Sequence, residues 1–296
     1  MRARATAIGF GAILLWSLLA LFTVGTVPVP PFLLNALTFS IGGLVGLIWI
    51  GFGGGGGQLG RVQPKTYLLG AVGLFGYHFL YFSALRLAPP AEAGLICYLW
   101  PLFIVLFSGL LPGERLTAMH VVGAALAFAG TACLLLGRGG SVEGSLSGFL
   151  LAFLAALTWA AYSLLSRRME EVPTAAVAVF CLITAVLSVP FHLALEETAW
   201  PIGMRGWLCV IALGLGPVGL AFYVWDVGVK RGDIQILGTA SYAAPLLSTL
   251  ALVASGVAEP TARIGIAALC ITAGAGLAAW ASARVRTAEI RPGSTG

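Results

Sequence analysis

Eight aromatic and imidazole side chains, set deep inside long apolar segments, are the residues of this sequence best suited to bind another molecule. Tyrosine and tryptophan join an apolar face to a polar tip, so a group of them can stack on a ligand and hydrogen-bond its polar end. A histidine in such surroundings needs a hydrogen-bonding partner. The residues predicted to bind a ligand are Tyr77, His78, Tyr81, Tyr98, Trp100, Trp159, Tyr162 and Tyr242. Core packing is the alternative for any one of them, and a proton-sensing role is a further alternative for His78.

Two prolines lie in the middle of apolar segments, at Pro101 and Pro245. Proline removes one backbone hydrogen bond and clashes with the preceding turn, so each is expected to kink its helix near mid-depth. Their matching positions favour a role in shaping or gating a cavity over a passive kink.

Signals for catalysis or for a cofactor are missing from the sequence. It contains no Walker loop, dinucleotide fingerprint, HExxH zinc helix or GxSxG elbow. The five cysteines lie in apolar stretches without metal-ligand or redox spacing. We therefore expect no enzyme activity, no metal and no cofactor. Glu92 and Asp226 lie near the ends of apolar segments, where they reach the membrane interface, pair with a neighbouring cation or bind a coupling ion.

The composition requires a membrane to position these residues. The chain has 296 residues, of which 59% are hydrophobic and 9% are charged, with a mean hydropathy of +0.99. A helix needs roughly 20 apolar residues to cross a bilayer, and the apolar runs are too long for strands and lack their alternation. The sequence predicts an all-α polytopic membrane protein with ten transmembrane helices, near residues 5–24, 32–51, 67–86, 91–111, 117–136, 145–166, 174–194, 205–228, 234–254 and 262–283.

The basic residues predict the orientation of these spans, because cytoplasmic loops are enriched in Lys and Arg. With both termini in the cytoplasm, 12 of the 16 basic residues lie on the cytoplasmic side. They are Arg2, Arg4, Arg61, Lys65, Arg115, Arg167, Arg168, Lys230, Arg231, Arg284, Arg286 and Arg291. The opposite side receives Arg86, Arg138, Arg205 and Arg263. The scattered positions of these charges argue against a nucleic-acid partner.

The chain also carries an internal duplication. Several residue pairs are separated by 144 positions: Arg86 and Lys230, Pro101 and Pro245, Thr117 and Thr261, and Gly130 and Gly274. We predict one five-helix repeat in residues 1–144 and a second in residues 145–296, the latter with a short cytoplasmic tail. Since five is odd, the second repeat must be inverted in the membrane, and inverted repeats around a central cavity are typical of transporters.

These features together resemble the drug/metabolite transporter superfamily, in its EamA branch. The resemblance rests on the arrangement of ten spans as five plus five and on the two prolines. It also rests on two equivalent loops, one with Glu114 and Thr117 and the other with Glu259 and Thr261. The segments Tyr77-His78 and Tyr98-Leu99-Trp100-Pro101 resemble bacterial exporters of aromatic amino acids. The resemblance implies a multi-pass exporter of the bacterial cytoplasmic membrane with a central cavity between its halves.

The expected function is export of aromatic or other neutral amino acids and related small metabolites by alternating access, as a secondary transporter or facilitator. Spans three, four, six, eight and nine are expected to supply most contacts to the substrate. Alternatives are a same-fold exporter of other metabolites or drugs, a channel, or a membrane-embedded enzyme. The expected partners are a small-molecule substrate and membrane lipid, and the oligomeric state is left open.

Overall fold

The protein is all-helical in a computed structural model that describes residues 1–53, 56–136, 145–256 and 259–290. The predicted boundary between repeats at residue 144, Arg138 and Arg291 lie outside the described residues. The helices are α1 (Arg2–Ser17), α2 (Leu19–Val24), α3 (Pro31–Gly51), α4 (Pro64–Ala71), α5 (Tyr77–Leu87), α6 (Pro90–Cys97), α7 (Trp100–Ser108), α8 (Ala118–Leu136), α9 (Leu146–Arg168), α10 (Ala176–Leu195), α11 (Gly203–Leu215), α12 (Ala221–Arg231), α13 (Ile234–Ala240), α14 (Ala243–Ala254) and α15 (Ala262–Ile290).

Eight helical stretches within the described residues are long and apolar enough to cross a membrane. Two shorter apolar helices, Glu92–Ser108 and Ala118–Cys133, lie where the fourth and fifth spans were predicted. The prediction of an all-helical, polytopic membrane protein is therefore confirmed. Large apolar side chains such as Leu44, Ile48 and Leu269 are exposed on the outside of the bundle, as expected for surfaces that face lipid.

Two spans contain a π-helical turn at equivalent places in the chain. The turn Val72–Gly76 joins α4 to α5, and the turn Gly216–Leu220 joins α11 to α12, 144 residues later. Pro217 has no N–H to donate, and both turns are rich in glycine, which tolerates the altered backbone path. Single π turns are rare and occur mostly at functional sites. The turns reorient the helices that follow them, α5 and α12.

Two other spans are interrupted at the prolines predicted to kink them. The helix α6 ends at Cys97 and α7 begins at Trp100, whereas α13 ends at Ala240 and α14 begins at Ala243. Pro101 and Pro245 each lie in the first turn of the second segment, where a missing N–H is tolerated. The structure thus has a break in each span where the sequence predicted a kink.

The ends of the bundle are defined by contacts between chain segments. Arg2, Glu114, Arg167 and Asp233 meet at one end, called here the N-terminal end. At the other end, called the far end, the carboxylate of Glu196 accepts hydrogen bonds from the backbone of Phe32 and from Arg86. Chain segments from both predicted repeats meet at each end.

Helices from the two predicted repeats approach closely near the N-terminal end. A Cβ atom built on Gly228 of α12 would lie 2.6 Å from Cα of Gly9 in α1, so neither position has space for a side chain. Small residues at such crossings let membrane helices pack backbone to backbone. This contact holds α1 against α12 below the cavity described next.

Candidate functional site

A cavity of about 450 Å³ lies between the predicted repeats. It runs from the connection between α2 and α3 to the centre of the bundle. Val27 in that connection lines it and is 70% exposed, so the cavity reaches the surface at the far end. The lining residues are Trp16, Leu19, Thr23, Thr26, Val27, Val29, Pro31, Leu34, Asn35, Thr38, Tyr77, His78, Tyr81, Phe82, Leu85, Gly94, Cys97, Tyr98, Trp100, Trp159, Leu213, Pro217, Val218, Phe222 and Ala244.

Six of the eight residues predicted to bind a ligand line this cavity, namely Tyr77, His78, Tyr81, Tyr98, Trp100 and Trp159. The first three begin α5, directly after a π-helical turn. Tyr98 and Trp100 flank the break between α6 and α7, and Trp159 lies in the middle of α9. Tyr77 stacks on Tyr81 with ring centroids 6.0 Å apart and packs against Trp159 at 5.4 Å. Three separate spans therefore form one aromatic wall.

The other two predicted residues lie outside the cavity lining. Tyr162 is buried behind the wall, with its ring against Trp159 and Phe180 at centroid distances of 5.3 and 6.5 Å. The hydroxyl oxygen of Tyr242 accepts a hydrogen bond of 3.1 Å from the backbone N–H of Leu102. Both tyrosines support the cavity walls instead of forming their surface.

The first two spans contribute much more to the cavity than the sequence analysis expected. Residues between Trp16 and Thr38 form one complete side of the lining, and Phe222 and Pro217 add to it from the eighth span. Spans three, four, six, eight and nine, which were expected to supply most contacts, provide the larger part of the lining, and the first two spans with their connection provide the rest. Trp16 and Asn35 offered a signal, since a deep tryptophan and a deep amide are both unusual facing lipid.

Four tryptophans close the inner end of the cavity. Trp16 lies 6.1 Å from Trp100, 5.9 Å from Trp159 and 5.1 Å from Trp225 between ring centroids. The indole N–H of Trp16 donates to the carbonyl of Pro217, and that of Trp225 donates to Ser163. This tryptophan floor separates the cavity from the N-terminal end.

The lining of the cavity is mostly apolar, and its polar groups carry no formal charge. It contains no Asp, Glu, Lys or Arg among the described residues, whereas it contains tyrosines, threonines, Asn35 and His78. The side-chain amide of Asn35 donates to Ser188, and Nδ1 of His78 lies 2.7 Å from the carbonyl oxygen of Leu74. An uncharged aromatic cavity suits a ligand with an apolar body and no net charge.

The N-terminal end is closed by a cluster of charged groups, called here the ionic clasp: Arg2, Glu114, Arg167 and Asp233. The Glu114 carboxylate, 4% exposed, accepts a hydrogen bond of 2.8 Å from Arg2 and is paired with Arg167. Arg167 also donates to the carbonyls of Val229 and Gly232 at 2.8 and 2.9 Å, at the end of α12. Cations at a helix C-terminus are favourable for its dipole. The clasp connects segments on both sides of the predicted repeat boundary.

The two carboxylates considered for a coupling ion have different surroundings. Asp226 forms a buried ion pair with Lys230 at 2.8 Å and accepts a hydrogen bond from Thr174. Pairing with a neighbouring cation was one of the three roles considered for this residue. Within the described residues, one carboxylate oxygen of Glu92 is buried without a hydrogen-bond partner.

A multi-pass helical bundle with a cavity at its centre, open at one end and closed at the other, has the architecture of a membrane transporter. The sequence matches the EamA-like transporter family twice, over residues 4–136 and 146–280. The chain therefore belongs to the EamA-like transporter family, which confirms the family resemblance. It is a multi-pass membrane protein.

Relatives of known name agree with this assignment. The chain is 55% identical over 281 residues to "Aromatic amino acid exporter YddG" of Ancylobacter novellus, covering 94% of this chain and 97% of that protein. It is 28% identical over 300 residues to the exporter of the same name from Escherichia coli, covering 96% and 99%. A solved crystal structure with 55% sequence identity matches with a TM-score of 0.89, covering 94% of this chain and 98% of the other.

Proposed function

We propose that this protein exports aromatic and other neutral amino acids across the bacterial cytoplasmic membrane, as a secondary transporter or facilitator. The observation that carries the proposal is the uncharged, aromatic-lined cavity of about 450 Å³. Its size is in the range of about 300 to 1,000 Å³ that is usual for small-molecule sites. Family membership and the printed names of the relatives support the same substrate class.

Transport proceeds by alternating access in this proposal. The two repeats, residues 1–144 and 145–296, are inverted relative to each other and rock about the cavity, with ten spans in all and both termini in the cytoplasm. The family match to two successive segments and the π-helical turns 144 residues apart support the duplication. The cavity reaches the far end while the ionic clasp closes the N-terminal end, so the described state is outward-facing in this orientation.

The aromatic residues of the cavity bind the substrate in this proposal. Tyr77, His78, Tyr81, Tyr98, Trp100 and Trp159 contact it directly, whereas Tyr162 and Tyr242 hold the walls from behind. Pro101 and Pro245 act as gating residues, because each lies in the first turn of a helix segment that follows a break, and the angle at that break can change. Cavity closure at the far end requires such a change.

Uptake of labelled amino acids into proteoliposomes tests the proposal. Wild-type protein is expected to take up tryptophan, phenylalanine and tyrosine above protein-free vesicles. Trp100→Ala is expected to lower this uptake by about fivefold to a hundredfold at matched protein levels, because it removes an aromatic face worth roughly 1 to 3 kcal/mol from the site. Trp207→Ala is the matched control, since Trp207 lies on the exposed surface of α11. Failure of all aromatic and neutral amino acids to cross would refute the substrate assignment.

A further inference from the structure

A hydrogen bond to the backbone determines which tautomer His78 adopts. Its Nδ1 lies 2.7 Å from the carbonyl oxygen of Leu74, in the π-helical turn that precedes α5. A carbonyl oxygen only accepts hydrogen bonds, so Nδ1 must carry the hydrogen that is donated. In the neutral imidazole the other nitrogen, Nε2, then has no hydrogen and acts as an acceptor.

The acceptor at Nε2 has no protein donor among the described residues. The neighbours of the imidazole are aromatic rings, with Phe39 at 5.0 Å, Tyr77 at 5.1 Å and Phe222 at 6.3 Å between centroids. His78 lines the cavity, and its Nε2 is not among the buried atoms that lack a partner. A lone pair that is accessible, unpaired and next to the cavity can receive a hydrogen bond from a ligand.

Among the other polar groups of the cavity, the indole N–H groups only donate, whereas the tyrosine hydroxyls can both donate and accept. The indole N–H groups of Trp100 and Trp159 and the hydroxyls of Tyr81 and Tyr98 form no hydrogen bond to the residues that the structure describes. Indole N–H only donates, so it suits a carboxylate and cannot bind an ammonium group by hydrogen bonding. An ammonium group only donates, so it needs an acceptor, and the rings around it add a favourable interaction with its charge.

We infer that Nε2 of His78 accepts a hydrogen bond from the α-ammonium group of the substrate and thereby discriminates amino acids from deaminated analogues. The inference rests on the proposed function, because it assigns one end of an amino acid that the cavity is proposed to carry. It also fixes an orientation, with the ammonium group at α5 and the carboxylate at the indoles of α7 and α9. An uncharged cavity can in this way bind a zwitterion without a salt bridge.

Paired substrates test the assignment in proteoliposomes. The probes are tryptophan and indole-3-propionate, which has the same ring and a carboxylate but no ammonium group, each measured as an inhibitor of labelled phenylalanine uptake. Wild-type protein is expected to bind tryptophan roughly tenfold to a hundredfold more tightly, as for a hydrogen bond to a charged group. His78→Phe introduces the residue found 144 positions later, at Phe222. It is expected to abolish this preference by weakening the binding of tryptophan alone.

Two further variants separate the chemistry from a structural role. The side-chain oxygen of glutamine in His78→Gln can replace Nε2, so we expect most of the preference for tryptophan to return. His78→Asn is too short to reach that position and should behave like His78→Phe. Equal weakening of both probes in all three variants would show that His78 only supports the fold, and an unchanged preference in His78→Phe would also overturn the inference.

A measurement on wild-type protein covers the case in which the variants do not fold. The chain has three histidines, so the ring nitrogens can be followed by NMR after ¹⁵N-histidine labelling. His78 is expected to show the Nδ1–H tautomer and to have an Nε2 signal that moves on adding tryptophan but not indole-3-propionate. His192, whose Nδ1 also faces an acceptor, at 3.0 Å in Glu196, lies outside the cavity lining and should not respond to either probe. An Nε2–H tautomer for His78 would contradict the inference. Absence of amino-acid uptake by wild-type protein would instead refute the proposed function.

Discussion

Residues 72–108 and residues 216–254 follow the same sequence of helix interruptions but place different side chains around the cavity. Each region has a π-helical turn, then a helix of equal length, Tyr77–Leu87 or Ala221–Arg231, and then a span broken before a proline. The backbone plan repeats at a spacing of 144 residues.

The chemistry of the two regions differs at equivalent positions. His78 corresponds to Phe222 and Tyr81 to Trp225. The first region thus presents two polar groups to the cavity, whereas the second has a phenyl ring and an indole whose N–H is already bonded to Ser163. Tyr98 lines the cavity, whereas its counterpart Tyr242 is fully buried and is bonded to the backbone of Leu102. Under the proposed function, the two predicted repeats are therefore used asymmetrically, the first to bind the substrate and the second to support the cavity wall. An asymmetric site can hold a ligand with two different ends in one orientation.

The largest expected effect concerns two glutamates in equivalent loops. Glu114 lies buried between Arg2 and Arg167, whereas Glu259 is exposed three residues before α15 begins. Glu114→Gln removes the anion that Arg2 and Arg167 share and leaves Asp233 3.7 Å from Arg2. Breaking a buried pair in this way costs about 3 to 5 kcal/mol. We expect the N-terminal end to open, which is measured by labelling Cys97 of the cavity with an impermeant maleimide in a background that lacks the other cysteines.

Glu259→Gln is the matched control for this substitution. It is expected to leave labelling of Cys97 from the N-terminal end at the wild-type rate, since an exposed carboxylate contributes little. Equal labelling rates in Glu114→Gln and wild-type protein would show that the ionic clasp does not hold this end closed.

Sequence patterns predicted much of this fold because a helix that crosses a bilayer needs roughly 20 consecutive apolar residues, which are easy to find in a sequence. Apolar length placed the helices, and the spacing of Pro101 and Pro245 located the two broken spans. The π-helical turns were not predicted, since Gly73 and Pro217 signal an irregularity without specifying its type. The position of a residue along its span also predicts its depth in the membrane. This explains why six of the eight residues predicted to bind a ligand line one cavity.

The direction in which each side chain points could not be predicted from the sequence. Tyr162 is three residues from Trp159 on the same helix, yet it lies behind the cavity wall. Such a rotation depends on tertiary packing, here against Phe180. The role of Trp16 and of the first two spans depends on contacts between the repeats, and single-span hydropathy contains no information on them.

A second prediction compares glycines in the two π-helical turns. A Cβ on Gly219 would collide with the backbone carbonyl of Gly214, which cannot move aside, whereas a Cβ on Gly76 would meet only Val72 Cγ1 at 3.8 Å and Thr158 Cγ2 at 3.9 Å. Gly219→Ala is therefore expected to destabilise the protein by about 2 to 3 kcal/mol, and Gly76→Ala by less than about 0.5 kcal/mol. Thermal unfolding in detergent followed by tryptophan fluorescence measures both. Equal melting temperatures would show that the second turn adapts as freely as the first.

The smallest expected effect separates binding from support at one pair of tyrosines. Tyr242→Phe removes the acceptor for the N–H of Leu102 and should lower stability by about 1 kcal/mol, which is usual for a hydrogen bond between membrane helices. Tyr98→Phe removes a hydroxyl that forms no hydrogen bond to the described residues, so the melting temperature should stay unchanged while the KM for an aromatic amino acid rises. If the first copy binds the substrate and the second supports the wall, Tyr98→Phe changes only the KM and Tyr242→Phe changes only the melting temperature. A rise in KM of the same size in Tyr242→Phe would instead mean that the second copy also contacts the substrate during the transport cycle.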